Sequence, residues 1–197
     1  MAMDPKRGLL FRTNNIDDPD SDGRMDSLCN HLEGLGWSVE SYKDCRVEDI
    51  DTAIRGLGED PPDEYSKILI YVEDHQQYSE IEGQMVGLYT SYDGEGETEI
   101  LKIKSLAQFL GSDIDYDELI WVDVGPRSGI SVAHCLGAIA ESAMIIASRD
   151  QNDDGTRDGF NLMNSLEGED FRDASMSERE RLEGSQSVQI EDKGTVL

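Results

Sequence analysis

Two runs in this chain, Lys67-Ile68-Leu69-Ile70-Tyr71-Val72 and Glu118-Leu119-Ile120-Trp121-Val122-Asp123-Val124, are apolar at successive positions and rich in β-branched and aromatic residues. A strand that points apolar side chains both ways needs cover on both of its faces. The segments around the runs can supply it. Met25, Leu28, Leu32 and Leu35 fall near helical spacing, as do Val47, Ile50, Ile54 and Leu57, and again Ile103, Leu106 and Leu110. Strand and helix therefore alternate, which predicts an α/β fold with a mostly parallel sheet.

The remaining elements follow the same logic. Gly8-Leu9-Leu10-Phe11-Arg12-Thr13, closed by Asn14-Asn15, reads as the first strand, and Trp37-Ser38-Val39-Glu40-Ser41-Tyr42 as the second. Gly34 and Gly36 stop the first helix; Gly58 and the Pro61-Pro62 pair stop the second. Ile81 to Glu99, with Gly83, Gly87, Gly94 and Gly96, reads as a small hairpin. Further on, Val132 to Ala140 reads as a helix, Ala143 to Ala147 as a fifth strand, and Phe160, Met163 and Leu166 as one helix face. Glu167 to Gly184 is charged and poor in apolar residues, and Ser187-Val188-Gln189-Ile190 alternates as a sixth, edge strand would.

A length of 197 residues fits one domain. Seventeen Lys and Arg stand against 43 Asp and Glu, a net charge of -26. Such a chain repels phosphate backbones and anionic lipid, so neither nucleic acid nor a membrane surface is an expected partner. Solubility is the ordinary role of such acids, and a basic partner would be matched to them. Three cysteines, Cys29, Cys45 and Cys135, are too few and too scattered for a disulfide framework, which points to a reducing, cytoplasmic setting. No stretch is long and apolar enough for a membrane span, and Met1 to Arg7 lacks the core of a signal peptide.

The order of elements and the residues at their ends resemble the caspases. Asn14-Asn15 matches the family's Asn-Asn after the first strand, and Leu35-Gly36-Trp37-Ser38-Val39 is similar to its Leu-Gly-aromatic-x-Val. Ile68 to Val72 runs into Glu73-Asp74-His75-Gln76 where the family has a strand ending in Ser-His-Gly. Glu99-Ile100-Leu101-Lys102-Ile103 resembles the segment opening the third helix. Asp158-Gly159-Phe160-Asn161-Leu162-Met163-Asn164-Ser165-Leu166 resembles Asp-Gly-Ser-Trp-Phe-Ile-Gln-Ser-Leu. The resemblance implies a three-layer sandwich, a mostly parallel six-stranded sheet with helices on both faces. It also implies a single domain over 1–197, large-subunit-like over 7–130 and small-subunit-like over 140–197.

Cysteine-protease chemistry needs a thiolate, an imidazole beside it and N–H donors for the oxyanion. By resemblance, His75 stands at the family histidine and Gly125 at the nucleophile, within Asp123-Val124-Gly125-Pro126-Arg127-Ser128-Gly129 where the family has Gln-Ala-Cys-Arg-Gly. A glycine cannot attack a carbonyl. Gln76 replaces the oxyanion-hole glycine, and Asp123 replaces the pocket-lining glutamine. The family binds its substrate aspartate with arginines, one of them from the loop after the first strand. This chain has Asp17, Asp18, Asp20 and Asp22 there, with Arg24 at the expected helix start, and Ser148 to Asp158 lacks the family's Ser-Trp-Arg. A pocket lined by carboxylates would repel an aspartate.

Other groups admit plainer readings. His75 without a thiol partner reads as a hydrogen-bonded surface residue. His134 and Cys135 are adjacent and so diverge on a helix; Cys135 and Cys29 read as packing, and Cys45 as a loop thiol, the most exposed of the three. Asp18-x-Asp20-x-Asp22-Gly23 has the first half of a calcium loop but Cys29 at its twelfth position. Asp150, Asn152, Asp154 and Asp158 have better calcium-loop spacing, with Asn161 twelfth; a solvated Asn/Asp/Gly turn is the plainer reading of the same residues. No cofactor is expected, with calcium at this loop the exception.

The expectation is a noncatalytic caspase homologue, a pseudoprotease rather than an enzyme. It would act in apoptosis or immune signalling, binding an active caspase or a second copy of itself through Val188 and Ile190 of the last strand. Two alternatives stand beside it: a divergent cysteine endopeptidase using Cys135 or Cys45 with His75, and a calcium-responsive acidic binding domain.

Overall fold

From the N-terminus the chain forms β1 (Lys6–Thr13), α1 (Ser21–Gly34), β2 (Ser38–Cys45), α2 (Val47–Gly56) and β3 (Tyr65–Glu73). A small antiparallel unit follows, β4 (Gln77–Ile81), β5 (Gln84–Tyr92) and β6 (Thr98–Lys102). Then come α3 (Ile103–Asp113), β7 (Tyr116–Val124), β8 (Ala143–Arg149) and β9 (Ser187–Asp192). The computed structural model describes residues 5–18, 21–59, 65–74, 76–81, 84–124, 143–149 and 187–192, the last two segments as strand backbone. The expected helices over 132–140 and 160–166, and the charged stretch 167–184, lie outside the described residues.

The main sheet has six strands in the order β2-β1-β3-β7-β8-β9, and the second sheet three in the order β4-β5-β6. Every pairing in the main sheet is parallel except β8 with β9. The period of two in β3 divides its residues between two cores. Ile68, Ile70 and Val72 pack with Leu9, Phe11 and Trp121 beneath Val47, Ile50 and Ile54 of α2 and Ile103, Leu106 and Leu110 of α3. Leu69 and Tyr71 turn the other way, joining Leu10, Ile120 and Val122 against Met25, Leu28 and Leu32 of α1. Burying each of these side chains is worth about 1.5–3 kcal/mol. The expected three-layer sandwich, with helices on both faces of a mostly parallel six-stranded sheet, is the architecture observed.

α1 ends as its glycines predict. Trp37 N–H donates to Leu32 O at 3.1 Å and Gly36 N–H to Glu33 O at 3.0 Å, with Gly36 at φ 83°, the paired bonds of a Schellman cap. Trp37 and Leu32 share one apolar cluster, which fixes where β2 departs. A Cβ at Gly36 meets no neighbour, so its cost is conformational alone. Gly36→Ala is expected to lower stability by about 1 kcal/mol, read as a lower urea midpoint with unchanged slope.

Two expectations need correction. The segment from Glu99 to Lys102 belongs to strand β6, and α3 begins only at Ile103. Alternation decides this: Leu101 packs on the core, Ile100 stays exposed, and Glu99 meets Arg46 and Ser91. The hairpin thereby becomes a three-stranded sheet. Cys45 is the final residue of β2 and is buried, not a loop thiol open to solvent. Its neighbours in the core explain the difference, for the next residues open α2 and press the strand end inward.

Candidate active-site edge

Open α/β sheets place their ligands beyond the carboxyl ends of the parallel strands. Here those ends belong to β1, β3 and β7, which pair side by side: Arg12 opposite Glu73, Val72 opposite Asp123, Glu73 opposite Val124. Asp74 N–H donates to Val124 O at 3.2 Å. The strand ends that lead into His75 and Gly125 are therefore bonded neighbours. His75 and Gly125 themselves lie outside the described residues, as do Asp150, Asn152, Asp154 and Asp158 of the suggested calcium loop, and Cys135.

Three carboxyl groups are buried at this edge. Glu73, Asp74 and Asp123 are each 0–1% exposed. Burying a charge is costly unless it is bonded, and each has its own set of partners. Glu73 accepts from Ser21 Oγ and from Tyr71 Oη at 2.6 Å, and Arg24 lies 3.5 Å away. Asp123 accepts from Tyr89 Oη at 2.5 Å and from Trp121 Nε1 at 3.3 Å, while that indole N–H also reaches Tyr89 Oη at 3.0 Å. Asp74 accepts from Thr13 Oγ1 at 2.7 Å and from Thr90 N–H at 3.0 Å. Its carboxyl is pushed up to about 7, by burial first and by the charge of Asp123 in the same sense, against the hydrogen bonds from Thr13, Thr90 and Asn15.

The acidic loop after β1 is not an array of free carboxylates. Asp18 pairs with Arg24 at 2.8 Å, and Asp22 with Arg12 at 2.8 Å, Arg12 also reaching Asp44 at 2.6 Å. Arg24 sits in the first turns of α1, as expected, and its guanidinium is committed to Asp18 and Glu73. The half calcium loop from Asp18 fails for a structural reason: α1 starts at Ser21, so Asp22 and Gly23 are helical. Among the described residues no three His, Cys, Asp or Glu side chains gather as a metal site would require. Gln76, which the resemblance sets against an oxyanion-hole glycine, is buried.

Neither described thiol is suited to nucleophilic work. Burial, with Asp49 next in effect, pushes Cys45 up to about 12, so almost none of it is thiolate near neutral pH. Cys29, half-buried against the α1 cluster, is also raised, by burial and then by Glu33 and Asp26.

The residue pattern marks the edge but not its wiring. An acid directly after each apolar run (Glu73-Asp74 and Asp123) signals that carboxylates end these strands. That Thr13, Asn15 and Thr90 converge on Asp74, or Tyr89 on Asp123, depends on contacts 16 to 75 residues apart in the chain.

No protein-family model matches the sequence, and no curated protein matches it either. Solved structures do match its fold. The crystal structure of drICE aligns over 97% of this chain and 88% of its own with a TM-score of 0.65 at 14% identity. The Drosophila initiator caspase Dronc aligns over 96% of this chain and 80% of its own with a TM-score of 0.63 at 8% identity. The fold is caspase-like. No helix among the described residues is long and apolar enough to cross a membrane.

Proposed function

We propose that this chain is a noncatalytic caspase homologue, a pseudoprotease that regulates an active caspase by binding it. One observation carries the reading: the residue directly after β7, on the strand beside the one that leads into His75, is Gly125 and has no side chain. Two further features support it. Acids occupy positions that the family fills with pocket-lining polar groups, and Arg24 is already neutralised by Asp18 and Glu73. The buried thiol of Cys45 is too poor an acid to take over the missing role.

On this reading the chain is one domain, with 7–130 and 140–197 in the places of the large and small subunits. β9, the last strand in the sheet order, carries Val188 and Ile190 and is the surface for an active caspase or a second copy, in a cytoplasmic cell-death or immune pathway. Its function needs no calcium. A rise in melting temperature on adding calcium would instead assign an ion to the Asp150 loop.

The test has two arms. Intact protein incubated with a peptidyl electrophile carrying aspartate is expected to show no thiol adduct by mass spectrometry; an adduct on Cys135 lost in His75→Ala would make it a peptidase. In the second arm, a purified active caspase is assayed with and without the chain. A change in its activity that Ile190→Asp abolishes is the expected result, and unchanged activity with no complex by light scattering would remove the regulatory role.

A further inference from the structure

Thr13, the last residue of β1, has one hydroxyl proton and three acceptors around it: Asn15 Oδ1 at 2.5 Å, Asp74 Oδ1 at 2.7 Å and the Glu73 carbonyl at 3.4 Å. The orientation of the Asn15 amide is set elsewhere, because its Nδ2 donates to Thr90 O at 2.9 Å and lies 2.6 Å from Thr90 Oγ1. Turned round, it would set its oxygen against the Thr90 carbonyl. The other oxygen of Asp74 is taken by Thr90 N–H. An ionised carboxylate only accepts hydrogen bonds, so a charged Asp74, although the Asn15 amide also favours that charge, leaves no proton for the contact between Thr13 and Asn15. The Thr13 proton then goes to Asp74, and two oxygens, of Thr13 and Asn15, face each other with nothing between them. A neutral carboxyl supplies what is missing. Asp74 Oδ1–H donates to Thr13 Oγ1, Thr13 donates to Asn15 Oδ1, and every bond of the cluster is made.

We infer that Asp74 is a proton-operated clasp: neutral, it closes the hydrogen-bond chain that joins Thr13 to Asn15 at the carboxyl edge of the sheet, and ionised, it sets the Thr13 and Asn15 oxygens against each other and loosens that corner, while Asn14 stays bonded to Tyr92 and Asn15 to Thr90 on β5. The surroundings suit that role. Facing Asp74 are Asp123 on β7, Cys45 at the end of β2, Thr13 and Asn15 at the end of β1 and Thr90 on β5, with Glu73 next to it in the chain. Arg12 on β1 is engaged by Asp22 and Asp44, and Arg24 on α1 by Asp18 and Glu73, so among the described residues no cation pairs with Asp74. With its ordinary value near 3.8 lifted to about 7, the carboxyl changes charge near neutrality. The loop that it holds borders the strand ends leading into His75 and Gly125, so opening the clasp changes the rim of that edge. This inference stands on hydrogen-bond geometry and not on the pseudoprotease reading.

The experiment uses the intact chain. Carbon-13 NMR of the Asp74 carboxyl is expected to show a midpoint near 7. Hydrogen exchange at the Ile16 amide, which bonds to Thr13 O, is expected to lose at least about tenfold in protection, corrected for intrinsic rate, between about pH 5 and about pH 9. Asp74→Asn keeps a donor toward Thr13 and an acceptor for Thr90, so its protection should be independent of pH. A carboxyl midpoint near 3.8, equal protection at both pH values, or a pH response kept in Asp74→Asn and lost in His75→Gln would each overturn the clasp. Should Asp74→Asn fail to fold, the wild-type carboxyl titration decides alone.

Discussion

Trp121→Ala is expected to destabilise the domain by about 3–5 kcal/mol, a large share of the roughly 5–15 kcal/mol that holds an ordinary domain folded. The indole is fully buried on β7, opposite Ile70 of β3 and Ile145 of β8, and packs in the core beneath α2 and α3. Truncation removes more than volume. The indole N–H bonds Tyr89 Oη, which in turn donates to the buried Asp123 carboxyl, so alanine opens a cavity beside a carboxyl group that has lost one of its donors. Trp121→Phe separates the two contributions: it keeps most of the apolar area and is expected to cost about 1–2 kcal/mol for the lost donor and the smaller ring. Far-UV circular dichroism in urea reads both. A cost below about 1 kcal/mol for the alanine variant would show that the core can close over this site.

Stability is expected to fall as the pH rises from 4 to 7, by about 4 kcal/mol from Asp74 alone. In the unfolded chain this carboxyl has its ordinary value of 3.8, and in the fold about 7, so between these values the folded state binds the extra proton. The contribution is whole below 3.8 and is gone once the pH has passed about 7. Asp93 and Glu99 act in the opposite sense. Backbone N–H groups, that of Glu97 foremost, hold Asp93 below its usual range, and Arg46 does the same for Glu99, so their contributions are lost in acid. Both are half-buried and open to solvent screening, so they count for little. Maximum stability is therefore expected on the acid side of neutrality. Thermal melts across this range should show the slope in the wild type, and Asp74→Asn should flatten it. An unchanged slope in that variant would trace it to the general repulsion of a chain with net charge -26.

The two predictions bear on one edge. An active cysteine peptidase needs a group there that gains and loses charge during turnover, with a thiol to use it. This edge has carboxyl groups that are walled in: Ser21, Tyr71 and Arg24 around Glu73, Tyr89 and Trp121 around Asp123, Thr13 and Thr90 around Asp74. Glu73 and Asp123, so held, stabilise one arrangement of strand ends, whereas Asp74 gains and loses its proton near neutral pH.

What the sequence determined by itself is the set of elements and their faces. Apolar runs with alternating direction require two covered sheet faces, and the helical spacing in α1, α2 and α3 supplies the covers; these are local periodicities that any reading of the chain recovers. It also determined that residue 125 has no nucleophile, since a glycine lacks one in any fold. Only the tertiary structure decided which polar groups meet. Thr90 reaches Asp74, and Tyr89 reaches Asp123, through a small sheet whose pairing carries no strong local signal; β6 was legible only as the approach to a helix. Cys45 looked like a loop thiol because a single strand-end residue has no periodicity to betray its burial, and its inertness follows from the core that closes over it. Local pattern sets direction along one element, whereas charge state and reactivity depend on solvent exclusion and on partners brought from distant parts of the chain.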